Sequence, residues 1–264
     1  MRLFDVLGPV MTGPSSSHTA GAVRIGSTAR RLLGEQPAEA EILLYGSFAA
    51  TGRGHGTDRV LYEVLGRERT EVVFSEETPH SLPHPNTLDF FACREGKPYA
   101  TMRVASIGGG DIRIEGQDAP QEQDEVYPEN SFAEIAQFCR WRYISLSEYV
   151  ELNEGPGIWD FLAEVWQTMK QAVADGLAAE GTLPGGLNVE RKAKRLYAQG
   201  KENERPQVRE LRIVCAYAFA VSEQNADNGT IVTAPTCGSA GVLPAVLLYM
   251  QRTHNIPDAQ VLRA

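Results

Sequence analysis

Between Ile158 and Val173 the apolar residues Ile158, Phe161, Leu162, Val165, Trp166, Met169 and Val173 recur at three- and four-residue intervals. That spacing predicts one helix with a single buried stripe. A second helix is predicted from about Gln207 to Glu223, apolar along much of its length as a central buried helix should be, and a third opens at Leu243 to Met250 ahead of a turn at Pro257. The first half of the chain is patterned differently. Ile42-Leu43-Leu44-Tyr45 predicts a buried strand over 41–48 that ends in a glycine-rich loop, Thr51 to Asp58, with a helix over 59–65 after it. Further strands are predicted over 71–75, 87–92, 99–107 and 111–115, with Gly108-Gly109-Gly110 as a tight turn, and a helix over 20–33.

Residues 117–130 turn polar, with Asp118, Glu122, Asp124, Glu125 and Glu129 among Pro120 and Pro128. We read residues 1–118 as an α+β domain, 119–130 as a polar linker, and 131–264 as the first part of an all-α domain. The roughly four or five helices legible there are too few to bury one another's apolar faces, so the all-α domain is expected to be incomplete and the chain truncated.

Composition narrows the function classes. With 264 residues and 42% hydrophobic content the chain supports a substantial core. No apolar run reaches the length of about 18 residues that spans a membrane. The start, Met1-Arg2-Leu3-Phe4-Asp5, lacks a long apolar segment and is not a signal peptide, which predicts a cytoplasmic location and no membrane partner. The net charge of −9 argues against nucleic acid, and the basic run Arg191, Lys192, Lys194 and Arg195 is expected to be a solvated helix face. Cys93, Cys139, Cys215 and Cys237 contain no CxxC pair, so neither a zinc ribbon nor a disulfide framework is indicated. Cys215, in an apolar stretch, is expected in the core. His80 and His84 stand four apart, but the prolines around them preclude a helical metal pair and predict a surface loop.

Three loops carry candidate chemistry. Gly13-Pro14-Ser15-Ser16-Ser17-His18-Thr19 gathers hydroxyls and an imidazole ahead of a helix. It reads either as a serine N-cap or as an anion site for a carboxylate or phosphate. In Gly52-Arg53-Gly54-His55-Gly56-Thr57-Asp58 the glycines allow close backbone approach and leave His55 free for acid or base work. The third, Asp227 to Gly241, offers Thr233, Thr236, Cys237 and Ser239 at the start of an apolar helix. A nucleophilic role for Cys237 has no Cys-His spacing behind it.

Taken in order, Gly13-Pro14-Ser15-Ser16-Ser17-His18-Thr19, Gly54-His55-Gly56-Thr57-Asp58, His84-Pro85-Asn86-Thr87 and Thr233-Ala234-Pro235-Thr236 resemble the iron-sulfur-dependent L-serine dehydratases, or L-serine ammonia-lyases. The resemblance implies an N-terminal β domain, like the allosteric substrate-binding domain of some phosphoglycerate dehydrogenases, ahead of a helical catalytic domain. It implies conversion of L-serine to pyruvate and ammonia with a 4Fe-4S cluster as Lewis acid and without pyridoxal phosphate. Among Lys97, Lys170, Lys192, Lys194 and Lys201, none has the setting of a Schiff-base lysine.

By that resemblance His55 is the catalytic base that takes the Cα proton, and His18, the second catalytic residue, orients substrate. Substrate would be held by Ser15, Ser16, Ser17, Thr19, Thr57, Asp58, Thr233, Thr236, Cys237 and Ser239. The family's cluster cysteines lie beyond the Thr-Ala-Pro-Thr loop, in sequence this chain does not contain. The chain alone is therefore expected to be inactive, and to work as a homodimer or when completed by a second chain. The alternative is a non-catalytic serine-sensing module.

Overall fold

The computed structural model describes residues 7–8, 10–32, 39–77, 79, 81–117, 126–184, 187–200 and 203–264. Strand β1 (Val10–Thr12) leads through the 13–19 loop into helix α1 (Ala20–Leu32), whose buried face carries Ala22, Ile25 and Ala29 at helical spacing. In β2 (Glu39–Leu44) Ala40, Ile42 and Leu44 are buried between the more exposed Glu39, Glu41 and Leu43, the alternation of a strand covered on one face.

Beyond Leu44 the structure departs from the expected strand and loop. Residues Gly46–His55 form helix α2, which abuts α3 (Thr57–Leu65). The strand stops because the Tyr45 and Ser47 N–H groups turn to the carbonyls of Thr87 and Pro85, and the helix that follows buries Phe48 completely. Glycine in a helix costs about 1 kcal/mol against alanine. At Gly52 that cost goes with tight packing: a Cβ there would sit 3.1 Å from the Phe74 ring and 3.2 Å from the Thr57 hydroxyl. Gly56, at φ +69°, ends α2 by donating its N–H to the Arg53 and Gly52 carbonyls.

The remaining strands are β3 (Thr70–Phe74), β4 (Thr87–Arg94), β5 (Lys97–Gly108) and β6 (Asp111–Ile114), with ends within two residues of expectation. Their order is β3-β2-β4-β5-β6, with β2 and β3 parallel and the other pairs antiparallel. Helices α1, α2 and α3 all pack on the face carrying Ile42, Leu88, Phe90 and Val104. On the opposite face Arg103 grips Asp89 through two 2.7 Å hydrogen bonds.

The second region is helical: α4 (Phe132–Arg142), α5 (Leu146–Glu154), α6 (Ile158–Ala178), α7 (Ala193–Ala198) and α8 (Pro206–Ala226). A capping box between Ser145 and Glu148 starts α5. The stripe expected on α6 buries Ile158, Val165, Trp166, Met169 and Val173, with Phe161 and Leu162 half-buried. Helix α8 packs against α6 and α7, and the buried Glu223 carboxylate accepts from the Lys192 N–H at 2.7 Å and the Ala193 N–H at 3.3 Å, capping α7.

The basic run is a solvated helix face only at Lys194 and Arg195, which are exposed on α7; the expectation is corrected for Arg191 and Lys192. Arg191 precedes the helix, its side chain is only 4% exposed and it pairs with Asp227, while the Lys192 ammonium lies 4.5 Å from the Phe219 ring centroid. Cys215 is half-buried rather than in the core.

Strand β7 (Thr230–Val232) interrupts the loop expected over 227–241, and α9 (Val242–His254) and α10 (Asp258–Val261) follow. Strand β7 pairs antiparallel with β1, placing Val10 opposite Val232, Met11 opposite Ile231 and Thr12 opposite Thr230. The Gly8 N–H to Thr233 carbonyl bond and the Gly13 N–H to Gly229 carbonyl bond extend this ribbon at both ends. Ile231 and Val232 sit in the helical core with Trp166, Val173 and Val221. Leu211 and Val242 stay 65% and 62% exposed.

No helix among the described residues is long and apolar enough to cross a membrane. Most of the expected linker (residues 119–125), His80 and Gly185-Gly186 lie outside the described residues.

Candidate active site

The β1–β7 ribbon brings the first and third of the candidate loops together. Between them lies a cavity of about 250 Å³, walled by Pro14, Ser15 and Ser16 on one side and by Thr233, Pro235, Thr236 and Cys237 on the other. Gly8 and Gly109 complete it. The loop residues are fixed by hydrogen bonds. Thr19 donates to the Thr12 carbonyl at 2.7 Å and the Ser15 carbonyl at 2.8 Å, which places its hydroxyl against the backbone at the root of α1. Ser239 donates to the Ala234 carbonyl at 3.1 Å and lies 2.9 Å from the Thr236 hydroxyl, bracing the far wall. The Cys237 thiol lies 3.7 Å from the Met11 sulfur and 3.9 Å from the Thr233 hydroxyl.

His18 is buried at 5% exposure, behind Ser15. Its Nδ1 is 3.1 Å from the Ser15 hydroxyl, and its Nε2 is 3.0 Å from the Thr51 hydroxyl and 3.3 Å from the Ser47 carbonyl. Phe48 meets the ring edge-on at 5.1 Å, and the His55 ring lies 4.5 Å away at 60°. Thus α2, the helix that sequence patterning does not reveal, supplies Ser47, Phe48, Thr51 and His55 to the site.

Burial lowers the pKa of His18, the hydrogen bond to the Ser47 carbonyl opposes that in part, and the neighbouring His55 lowers it further. Burial alone lowers His55. Both rings are therefore neutral at physiological pH, the state in which an imidazole can accept a proton.

The two regions meet here through polar atoms that lack partners. His55 Nδ1, Thr57 Oγ1, Asn225 Oδ1 and Asn228 Oδ1 are buried without a hydrogen bond among the described residues. A Cβ on Gly56 would stand 3.0 Å from Asn228 Oδ1, and one on Gly13 would collide with the Asn225 carbonyl and amide oxygens. Both glycines thus permit the close approach of the two regions.

Ser17 is half-buried in the same loop. Asp58, by contrast, lines a different hollow with Arg59, Tyr62, Glu63 and Arg67. A larger hollow of about 670 Å³ lies beside β5, where the Arg103 guanidinium is already neutralised by Asp89.

The thiols do not converge. Cys93 lies in β4 with its sulfur toward the Phe91 carbonyl, Cys139 in α4 toward the Ser145 carbonyl, Cys215 in α8 and Cys237 at the cavity. Among the described residues no three histidine, cysteine or acidic side chains gather to hold a metal. This donor set does not fit an iron-sulfur cluster, which takes thiolates from converging cysteines.

A hydroxyl-lined cavity with the His18 ring behind Ser15, at the junction of a sheet region and a helical region, suits a small polar molecule. Comparison with known proteins places it more closely. A family model described as the serine dehydratase alpha chain matches residues 117–264, and one described as the serine dehydratase beta chain matches residues 3–75. The chain is 33% identical over 301 residues to the L-serine dehydratase of Streptomyces coelicolor. It is 32% identical over 299 residues to L-serine dehydratase 1 of Escherichia coli. Each alignment takes in 94% of this chain and 66% of the relative. Over 128 residues, 42% of this chain and 58% of the relative, it is 41% identical to the probable L-serine dehydratase beta chain of Bacillus subtilis. The chain belongs to the serine dehydratase family, and it spans 66% of the length of the first two of these relatives.

Sequence reasoning singles out His18, His55 and the 233–239 loop but misses Ser47, Thr51, Asn225 and Asn228. For Thr51 there is no local signal. For Asn228 the signal is its place before Gly229, a turn-forming pair, and the residue is in the left-handed region at φ +56°.

Proposed function

We propose that this protein takes part in the dehydration of L-serine to pyruvate and ammonia, with the site built from the α+β region (1–118) and the helical region (131–264) on either side of a polar linker (119–130). The observation that carries the reading is the neutral His18–His55 pair behind a hydroxyl-lined cavity, in a chain of the serine dehydratase family.

The chemistry asks for a carboxylate anchor, a base for the weakly acidic Cα proton and help for a poor leaving group, hydroxide. The Ser15, Ser16 and Thr236 hydroxyls line a volume that suits a small amino acid, and the Ser16 and Thr236 O–H groups can donate to its carboxylate. The unpartnered amide oxygens of Asn225 and Asn228 suit an ammonium group. His55, neutral and with an unpartnered Nδ1, is the candidate to accept the Cα proton. Aminoacrylate formed by loss of water tautomerises and hydrolyses to pyruvate and ammonia.

The family resemblance implies a 4Fe-4S cluster, and we place its cysteine ligands outside these 264 residues, in further sequence or in a completing chain. The exposed Leu211 and Val242 fit the view that further protein covers the helical region.

The direct test is to assemble the enzyme anaerobically with the sequence or partner that supplies the missing cysteines and to measure pyruvate from L-serine. Turnover is expected from the assembly. An assembled, iron-loaded enzyme that forms no pyruvate from L-serine would refute the reading.

A further inference from the structure

We propose that the Ser47 carbonyl and the Thr51 hydroxyl hold His18 as the Nε2–H tautomer, so that its free Nδ1 lone pair acts on Ser15 and makes the Ser15 hydroxyl the proton-exchanging group at the cavity wall. The argument is one of donors and acceptors. A backbone carbonyl only accepts, so the 3.3 Å contact between His18 Nε2 and the Ser47 oxygen is favourable only when Nε2 carries the proton. Thr51 agrees with this. Its hydroxyl donates to the same Ser47 carbonyl at 2.9 Å, leaving an oxygen lone pair for Nε2–H at 3.0 Å. Burial of the ring favours the neutral form, so with Nε2 protonated Nδ1 is an acceptor.

The atom it faces is the Ser15 hydroxyl, 3.1 Å away, which must then be the donor. The His18 backbone N–H, 3.4 Å from the same oxygen, helps to hold it. Ser15 lines the cavity, and the His18 ring behind it lies 4.5 Å from that of His55. In the exchange, Ser15 Oγ takes a proton from the bound molecule as its own proton passes to His18 Nδ1. The imidazole becomes an imidazolium protonated on both nitrogens and the bound molecule is one proton poorer; the reverse step returns the proton. Ser15 is then the residue that touches the bound molecule, and Thr51 is a positioning residue acting through His18. Use of this relay on serine rests on the dehydration proposed above, whereas the tautomer and the Ser15–His18 bond do not.

The test is nitrogen NMR of the 264-residue protein labelled with 15N-histidine, alongside the assembled enzyme. Expected for His18 are a protonated Nε2, an unprotonated Nδ1, a displaced Nδ1 resonance in Ser15→Ala, and a displaced Nε2 resonance in Thr51→Val that Thr51→Ser restores. A proton on Nδ1 in the wild type, or an Nδ1 resonance that Ser15→Ala leaves in place, overturns the proposal. In the assembled enzyme Ser15→Ala is expected to lower kcat by about a hundredfold or more with little change in KM. Thr51→Ser should stay near wild type and Thr51→Val fall between. Full kcat in Ser15→Ala overturns the proton role. Failure of the serine reading shows differently, as a wild-type assembly that makes no pyruvate while the nitrogen resonances behave as stated.

Discussion

The imidazoles of His18 and His55 lie 4.5 Å apart, centroid to centroid, inclined at 60°. The buried His18 ring and the half-buried His55 ring resist protonation, since a charge on either loses hydration and, at His18, also meets the charge of its neighbour. Below about pH 6.5 the unfolded chain takes up protons on both histidines that the folded chain refuses. Folding stability should therefore fall as the pH drops through about 6.5 and be fully present above it. Urea unfolding between about pH 5 and pH 8 measures the slope, and a His18→Gln, His55→Gln double variant should flatten it. An unaltered slope would show that the pair titrates as exposed histidines do.

In the assembled enzyme His55→Ala is expected to lower kcat for serine by about two to four orders of magnitude, the usual contribution of a positioned base. Iron content and cluster absorbance should be unchanged, because His55 stands beside the His18 ring, next to Gly56, rather than among thiols. Wild-type kcat in this variant would transfer the base role elsewhere.

At Gly176 helices α6 and α8 touch backbone to backbone, and a Cβ there would collide with the Ala220 carbonyl oxygen. Gly176→Ala gains the helix propensity of alanine, about 1 kcal/mol, but must push apart a packed crossing. The second effect should win, with a net destabilisation of about 1–3 kcal/mol in chemical denaturation. Gly54→Ala, on an open surface with nothing near its Cβ position, is the control and should be neutral or stabilising.

Asp258 gathers the Trp166 indole N–H at 3.1 Å, the Lys170 ammonium at 2.8 Å and the Gln251 amide at 2.6 Å. Those bonds, with Lys170 first, lower its pKa from 3.8 to about 2. Its contribution is present above about pH 3.8 and is lost as the pH falls toward about 2. Its side chain is 45% exposed, so after solvent screening Asp258→Asn should cost about 1 kcal/mol at neutral pH. The difference from wild type should vanish in acid, as acid titration followed by circular dichroism would reveal.

The parts of the fold that were legible in the sequence are those where a long run repeats one period. Helix α6 declares its stripe over many turns, and β4 and β5 carry β-branched and aromatic residues between clear turn signals. Helix α2 is hidden because Gly52, Gly54 and Gly56 read locally as a loop, whereas the burial of Phe48 and the fit of Gly52 against Phe74 are tertiary effects. Strands β1 and β7 are three residues each, too short for any periodicity, and they exist by pairing across nearly the whole chain.

The same division holds for the site. Hydroxyl-rich and glycine-rich loops advertise His18, His55 and Thr236. Ser47 and Thr51 act on His18 only because α2 runs past its ring, a fact of packing with no trace in local composition.

The β1–β7 ribbon means that the cavity's two walls are stitched by backbone hydrogen bonds as well as by the covalent thread between the two regions. In a chain cut between Gln117 and Val126 the pairing of Met11 opposite Ile231 would become a contact between two polypeptides. One gene or two could therefore encode the same pocket, because the seam that forms it is a recognition surface already.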